Sequence, residues 1–161
     1  MQKKVFWLPF SQLFLATGRV NRLQYLVYFL ILVAALFAVM AIIDFGLVRT
    51  MNASTDLEAV PSAIFVYMFF CLVAKRLHDL KLPAVIGLVL VAVPVAQGYF
   101  DAAAASGASL FPASWAPLLS LSGSAWNLVS GLSCLLLFGV PGSPGDNRYG
   151  PAPVNRPVEA F

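Results

Sequence analysis

The chain has 161 residues, 60% of them hydrophobic and only 11% charged, where a soluble domain carries roughly a quarter charged. Water would leave much of that apolar surface uncovered, so lipid is the expected solvent; a hydrocarbon core about 30 Å thick takes about 20 helical residues per crossing, and this length holds four crossings in a single membrane domain, residues 1–161. The net charge of +3 comes without a basic run or a nucleic-acid-binding fold, and one histidine with two distant cysteines, Cys71 and Cys134, does not make a metal centre.

Residues 3–16 open with Lys3 and Lys4, and then place Phe6, Trp7, Phe10, Leu13 and Phe14 on one helical face. This pattern predicts an N-terminal amphipathic helix lying in the membrane interface. A cleaved signal peptide is the alternative, although Pro9, Ser11 and Gln12 interrupt the apolar stretch. A polar turn, Thr17-Gly18-Arg19-Val20-Asn21-Arg22, follows, with Thr17 or Asn21 placed to cap the next helix. The first span is expected over about 23–45, with Tyr25 and Tyr28 at one interface and Asp44 at the other.

A polar loop occupies 49–58, with a chance-level glycosylation match at Asn52. The second span, about 59–79, reaches full length only if the helix runs on through Lys75 and Arg76, whose heads then snorkel to the interface. The third, about 84–100, contains Gly87, Pro94 and Gly98, and a bend near Pro94 is expected. The fourth, about 118–140, carries Ser120, Ser124, Asn127, Gly131 and Cys134 as a stripe of small or polar residues. Such a stripe suits close helix contact in lipid, either within its own bundle, the preferred reading, or against another subunit. The tail, 141–161, is rich in proline and glycine up to Pro157 and predicts a chain of turns without regular structure.

Charge sorts by side. Lys3, Lys4, Arg19, Arg22, Lys75, Arg76, Lys81, Arg148 and Arg156 fall on one side of the four spans, and Arg49 alone on the other. Nine cations against Asp79, Asp146 and Glu159 leave +6 on the first side; Asp44, Asp56, Glu58 and Asp101 against Arg49 leave −3 on the second. The positive-inside rule then makes both termini cytoplasmic, and the basic face is expected to meet anionic lipid or an anionic partner.

Three polar stretches share that basic face: 18–25 (Gly-Arg-Val-Asn-Arg-Leu-Gln-Tyr), 75–79 (Lys-Arg-Leu-His-Asp) and 141–151 (Pro-Gly-Ser-Pro-Gly-Asp-Asn-Arg-Tyr-Gly-Pro). In this order and spacing, across about residues 5–153, the chain resembles the bacterial family of domain of unknown function 805, the YhaH-type inner-membrane proteins. Lys75 stands where family members commonly carry a first arginine, and Leu82-Pro83-Ala84-Val85-Ile86 replaces a tryptophan-bearing stretch. The resemblance implies a multi-pass protein of the bacterial inner membrane and no particular activity.

The candidate binding cluster is Arg19, Asn21, Arg22, Arg76, His78, Asp79, Asn147, Arg148 and Tyr149. Arg76 and Asp79 are three apart and can pair on a helix, with Arg19, Arg22 and Arg148 as competing partners for the carboxylate. Guanidinium groups beside the Asn21 and Asn147 amides suit a phosphate or carboxylate. Asp79 could instead orient His78 as an acid–base group, but no nucleophile, metal cluster or phosphate loop accompanies them, and the same residues could simply pin the tail and N-terminal turn to the bundle. The leading expectation is a scaffold or binding protein engaging anionic headgroups or a membrane-protein partner, a second copy included, with no cofactor and no nucleic acid. A small oligomeric transporter is the alternative, weakened because Asn127, the strongest mid-membrane polar residue, carries no proton.

Overall fold

The computed structural model describes residues 7–43, 56–105, 107 and 112–153. Every regular element among them is helical. A short 3-10 turn, Phe10–Phe14, leads into α1, Arg22–Ile42. Helix α2 runs Asp56–Asp79 and α3 runs Ala84–Ala105. A second 3-10 turn, Ala113–Trp115, precedes α4, Ala116–Gly139. Stretches Arg22–Ile42, Val60–Asp79, Ala84–Ala103 and Pro117–Gly139 are each long and apolar enough to cross a membrane. Lys3, Lys4, Asp44, Arg49, Asn52, Arg156 and Glu159 lie outside the described residues.

Helix α1 starts where it does because Asn21 caps it. The Asn21 side chain accepts from the Gln24 backbone N–H at 2.7 Å, and the Gln24 side chain accepts from the Asn21 N–H at 3.1 Å. This reciprocal capping box satisfies two backbone donors that the first turn otherwise orphans. Asn21 and not Thr17 fills the role. Ahead of it, the helix expected over 3–16 is absent from Trp7 onward, apart from the 3-10 turn. Pro9 sits as that turn's cap, and the Leu8 N–H donates to Tyr28 Oη at 2.5 Å rather than to a preceding carbonyl.

Helix α2 begins at Asp56, three residues before the span expected from 59. It ends in a Schellman motif: the Leu82 N–H donates to Leu77 O at 2.9 Å, and the Lys81 N–H to His78 O at 3.1 Å. Lys81 takes the left-handed position, φ 65°, that glycine usually occupies, and Pro83 then prevents continuation. Pro94 lies inside α3 without ending it.

Helix α2 packs between α1 and α3, and α4 closes the bundle against α3 and α1. Gly87 permits the α2–α3 approach, since a Cβ there would lie 3.1 Å from both Leu77 Cδ1 and Val73 Cγ1. Phe138 of α4 meets α1 through Tyr25 and Phe29, with ring centroids 4.8 and 5.4 Å apart. The buried apolar residues concentrate at one end: Val20, Tyr25, Tyr28 and Leu32, then Leu72, Val73 and Leu77, then Leu137. Elsewhere the helices present large apolar side chains outward, as lipid-facing surfaces do.

The stripe on α4 meets the preferred expectation in part: Cys134 packs against the buried core, and Asn127 and Gly131 line with it a groove shared by all four helices. Ser120, Ser124, Asn127 and Gly131 are exposed, and a Cβ at Gly131 would meet nothing within 4 Å. Gly123, Ser130 and Leu137 form the buried side of α4 instead. Periodicity placed the stripe on one face correctly, but the face that packs is offset from it by roughly a quarter turn, a rotation hydropathy does not encode.

Candidate functional site

The packed end of the bundle inverts the pattern of the rest. Phe37 of α1 is 71% exposed, while Arg76 is 0% and Asp79 2% exposed. Buried charge is tolerable only when paired and hydrogen-bonded, and the surrounding segments supply that.

Asp79 accepts on both oxygens. Arg76 Nη1 donates to Oδ2 at 2.5 Å, and Arg19 donates to Oδ1 from Nη2 at 2.8 Å and from Nε at 3.1 Å. Both arginine side chains are fully covered. The Arg76 pair is the local one, three residues apart on α2. The Arg19 pair spans 60 residues and joins the turn before α1 to the end of α2. Arg22 and Arg148, the other expected competitors, form no ion pair with Asp79.

The remaining arginine donors go to backbone carbonyls and, from Arg19 Nη2, to Ser143 Oγ at 3.1 Å. Arg76 Nε donates to Leu137 O at 2.9 Å and Nη2 to Val140 O. These carbonyls lie in and just past the last turn of α4, which has no intrahelical donors left for them and carries the negative end of the helix dipole. Arg76 therefore caps a helix other than its own. Arg19 Nη1 donates to Gly145 O at 2.7 Å, and its Nη2 also reaches Ser143 O at 2.9 Å. Through Arg19 the N-terminal turn holds the tail.

Lys75, 2% exposed, does the same for the N-terminal segment. Its ammonium donates to Gln12 O at 2.7 Å and to Leu15 O, and Tyr67 Oη donates to Phe14 O at 2.8 Å. Lys75 and Arg76 thus turn inward rather than snorkelling to the interface, because folded-back backbone offers acceptors closer than solvent does.

The tail follows α4 as turns with one isolated bridge, Asn147 to Gly150. The Ser143 N–H donates to Asp79 O at 2.8 Å, and Asn147 Nδ2 to His78 O at 3.0 Å. Gly142 is required here: a Cβ on it would overlap the Asp79 carboxylate. Tyr149 stacks on His78, centroids 3.9 Å apart and planes 9° from parallel, and Arg148 lies over the Tyr149 ring at 4.6 Å.

His78 Nδ1 is 3.2 Å from Gly18 O. A carbonyl only accepts, so this nitrogen carries the proton. Asp79 spends its oxygens on arginine and does not orient the imidazole, and the aspartate–histidine dyad does not form. No group of three or more His, Cys, Asp and Glu able to hold a metal exists among the described residues.

Of the nine candidate residues, Arg19, Arg76, Asp79, His78, Asn147 and Tyr149 come together in one connected network. Asn21 lies beside it as the α1 cap. Arg22 and Arg148 are exposed at its edge. A polar hollow of about 300 Å³ separates the start of α1 from the tail, lined by Asn21, Arg22, Asp79, Gly142, Ser143 and neighbouring prolines. Lys75, Ser143 and Gly142 belong to the site although the candidate set omits them. Gly142 alone carried a sequence signal, a glycine where backbone must approach closely.

Neither the curated proteins nor the solved structures contain a significant match to this chain. A family model does match, over residues 13–151, most of the chain and all three polar stretches. The chain is a member of the DUF805 family, described as protein of unknown function.

Proposed function

We propose that this is a scaffold or binding protein whose basic end sits on the cytoplasmic side and engages anionic lipid headgroups. One observation carries the reading: the cations of this end divide into two sets. Arg19, Lys75 and Arg76 are buried and consumed by internal acceptors. Arg22, Lys81 and Arg148 are exposed and form no ion pair with any described residue. The first set builds the end of the bundle; the second is available to a partner. Lys81 supports this, because a left-handed position that glycine fills with less strain keeps a cation there instead. The polar hollow beside Arg22 offers a place for a phosphate, and Asp79 on its wall has both oxygens already bonded to arginine. Cytoplasmic placement rests on the positive-inside bias, and basic residues near an anionic leaflet gain about 1 kcal/mol each.

The test is native mass spectrometry of the protein from nanodiscs of mixed phosphatidylglycerol and phosphatidylcholine. Phosphatidylglycerol should be retained preferentially, and Arg22→Gln, Lys81→Gln and Arg148→Gln together should abolish the preference while leaving the fold intact. An unchanged preference in the triple variant defeats the proposal. Alkaline phosphatase fused after Gly139 should be inactive if that end is cytoplasmic.

A further inference from the structure

The triad at the packed end does not balance its own charge. Asp79 is the only buried carboxylate among the described residues, and two buried guanidinium groups, Arg19 and Arg76, share it. Together the three side chains hold one unit of positive charge out of water, where an unmatched charge is costly. Asp79 also lines the polar hollow of about 300 Å³ between the start of α1 and the tail. Arg22, exposed on the same lining, adds a second positive unit and forms no ion pair with a described residue. It lies close enough to Arg76 for the two guanidinium groups to repel. Among the described residues no further charged side chain lines the hollow. The donors there suit an oxyanion. The Arg22 guanidinium makes no hydrogen bond to a described residue, and neither does the Arg22 backbone N–H, because the Asn21 acceptors serve Gln24 and Tyr25. The positive end of the α1 dipole reinforces both.

We infer that the hollow binds the dianionic phosphate monoester of a lipid of the phosphatidic acid type. A diester headgroup carries one negative charge and leaves one of the two positive units unmatched. A monoester loses its second proton near about pH 6, and a guanidinium beside it favours the doubly charged form. The volume stands at the lower end of the range for small-molecule pockets, about 300–1,000 Å³, which admits one headgroup and no acyl chain. Phosphate free in solution offers the same dianion, but the helix surface next to Arg22 selects the lipid. Arg22 opens the apolar span Arg22–Ile42. Leu26 and Leu30 follow it at four-residue spacing on one face of α1, and both are exposed. A phosphate held at Arg22 therefore has an apolar path for its acyl chains along the same helix.

The inference rests on the headgroup reading above and narrows it to one phosphate chemistry. Its test places the full chain in phosphatidylcholine nanodiscs doped equally with phosphatidic acid and phosphatidylmethanol, a diester larger by a methyl group. The two lipids differ in charge at nearly equal size, and native mass spectrometry reads which is retained. Phosphatidic acid should be favoured about tenfold over phosphatidylmethanol, the step expected of one further charge-assisted hydrogen bond. Arg22→Gln should remove this preference, whereas Lys81→Gln combined with Arg148→Gln should leave it, because neither residue lines the hollow. Ala152→Phe, which fills the hollow without altering charge, should lower the retention of phosphatidic acid. Equal retention of both anionic lipids above phosphatidylcholine overturns the monoester assignment and leaves headgroup binding standing. No excess of either over phosphatidylcholine overturns both. An intact preference in Arg22→Gln, or undiminished retention in Ala152→Phe, puts the site elsewhere and defeats the inference. Loss of the preference in excess inorganic phosphate assigns the hollow to the free ion and overturns the lipid.

Discussion

Replacing Asp79 with asparagine tests the cluster at its centre. Asparagine keeps the volume but removes the charge, and it turns one of two acceptors into an N–H group facing an arginine. Arg19 and Arg76 keep their carbonyl partners yet lose their counter-charge, with both side chains at 0% exposure. Deleting one member of a buried ion pair costs about 3–5 kcal/mol, and the pair here is a triad whose remaining members are both cations. That is a large share of the total stability of an ordinary domain, about 5–15 kcal/mol. Asp101→Asn is the internal control. It lies at the other end of the bundle, is exposed, and accepts only from Gln97 Nε2 at 2.9 Å, so its effect should stay within about 0.5 kcal/mol. Reversible unfolding in mixed micelles, with mutants compared at one detergent fraction, reads both. Asp79→Asn behaving like Asp101→Asn would mean water reaches the cluster and the arginines do not depend on the carboxylate.

The other predictions follow from single contacts. His78→Gln should destabilise less than Asp79→Asn, by about 1 kcal/mol, because the stacking on Tyr149 is what it loses; the same unfolding assay ranks the two. Gly142→Ala should cost about 1–3 kcal/mol by forcing a methyl group against the Asp79 carboxylate, whereas Gly131→Ala, facing open space inside α4, should gain about 0.5–1 kcal/mol of helix stability. Lys81→Gly should stabilise the protein by relieving the left-handed strain, while weakening retention of anionic lipid. Residues 143–150 should resist limited trypsin at Arg148 in the wild type and become cleavable in Arg19→Gln, which releases the Ser143, Gly145 and Gly150 carbonyls.

What sequence could reveal of this site divides by range. The Asn21 cap and the Arg76–Asp79 pair act across three residues, and helix geometry alone brings their atoms together. The choice of Arg19 over Arg22 or Arg148 is not local: all three share the basic face, and only the packing of the turn before α1 onto α2 singles one out. Backbone acceptors such as Leu137 O, Gln12 O and Gly145 O leave no mark on residue type, so the internal use of Arg76, Lys75 and Arg19 is not legible in the sequence. Four helices long and apolar enough to cross a membrane are legible because hydropathy and length encode them. From Trp7 onward the expected interfacial helix gives way to a 3-10 turn, because the apolar pattern continues through Pro9, where the helical backbone does not.

The network around Arg19 also fixes an order of events during synthesis. Arg19 leaves the ribosome early and Asp79 midway, but Ser143, Gly145 and Gly150 follow all four helices. Until they emerge, the guanidinium lacks its three carbonyl partners, and Arg76 waits likewise for Leu137 and Val140. The charged end therefore can be completed only once the tail has been made, and a chain ending at Gly139 would leave the Arg19 guanidinium without its carbonyl partners.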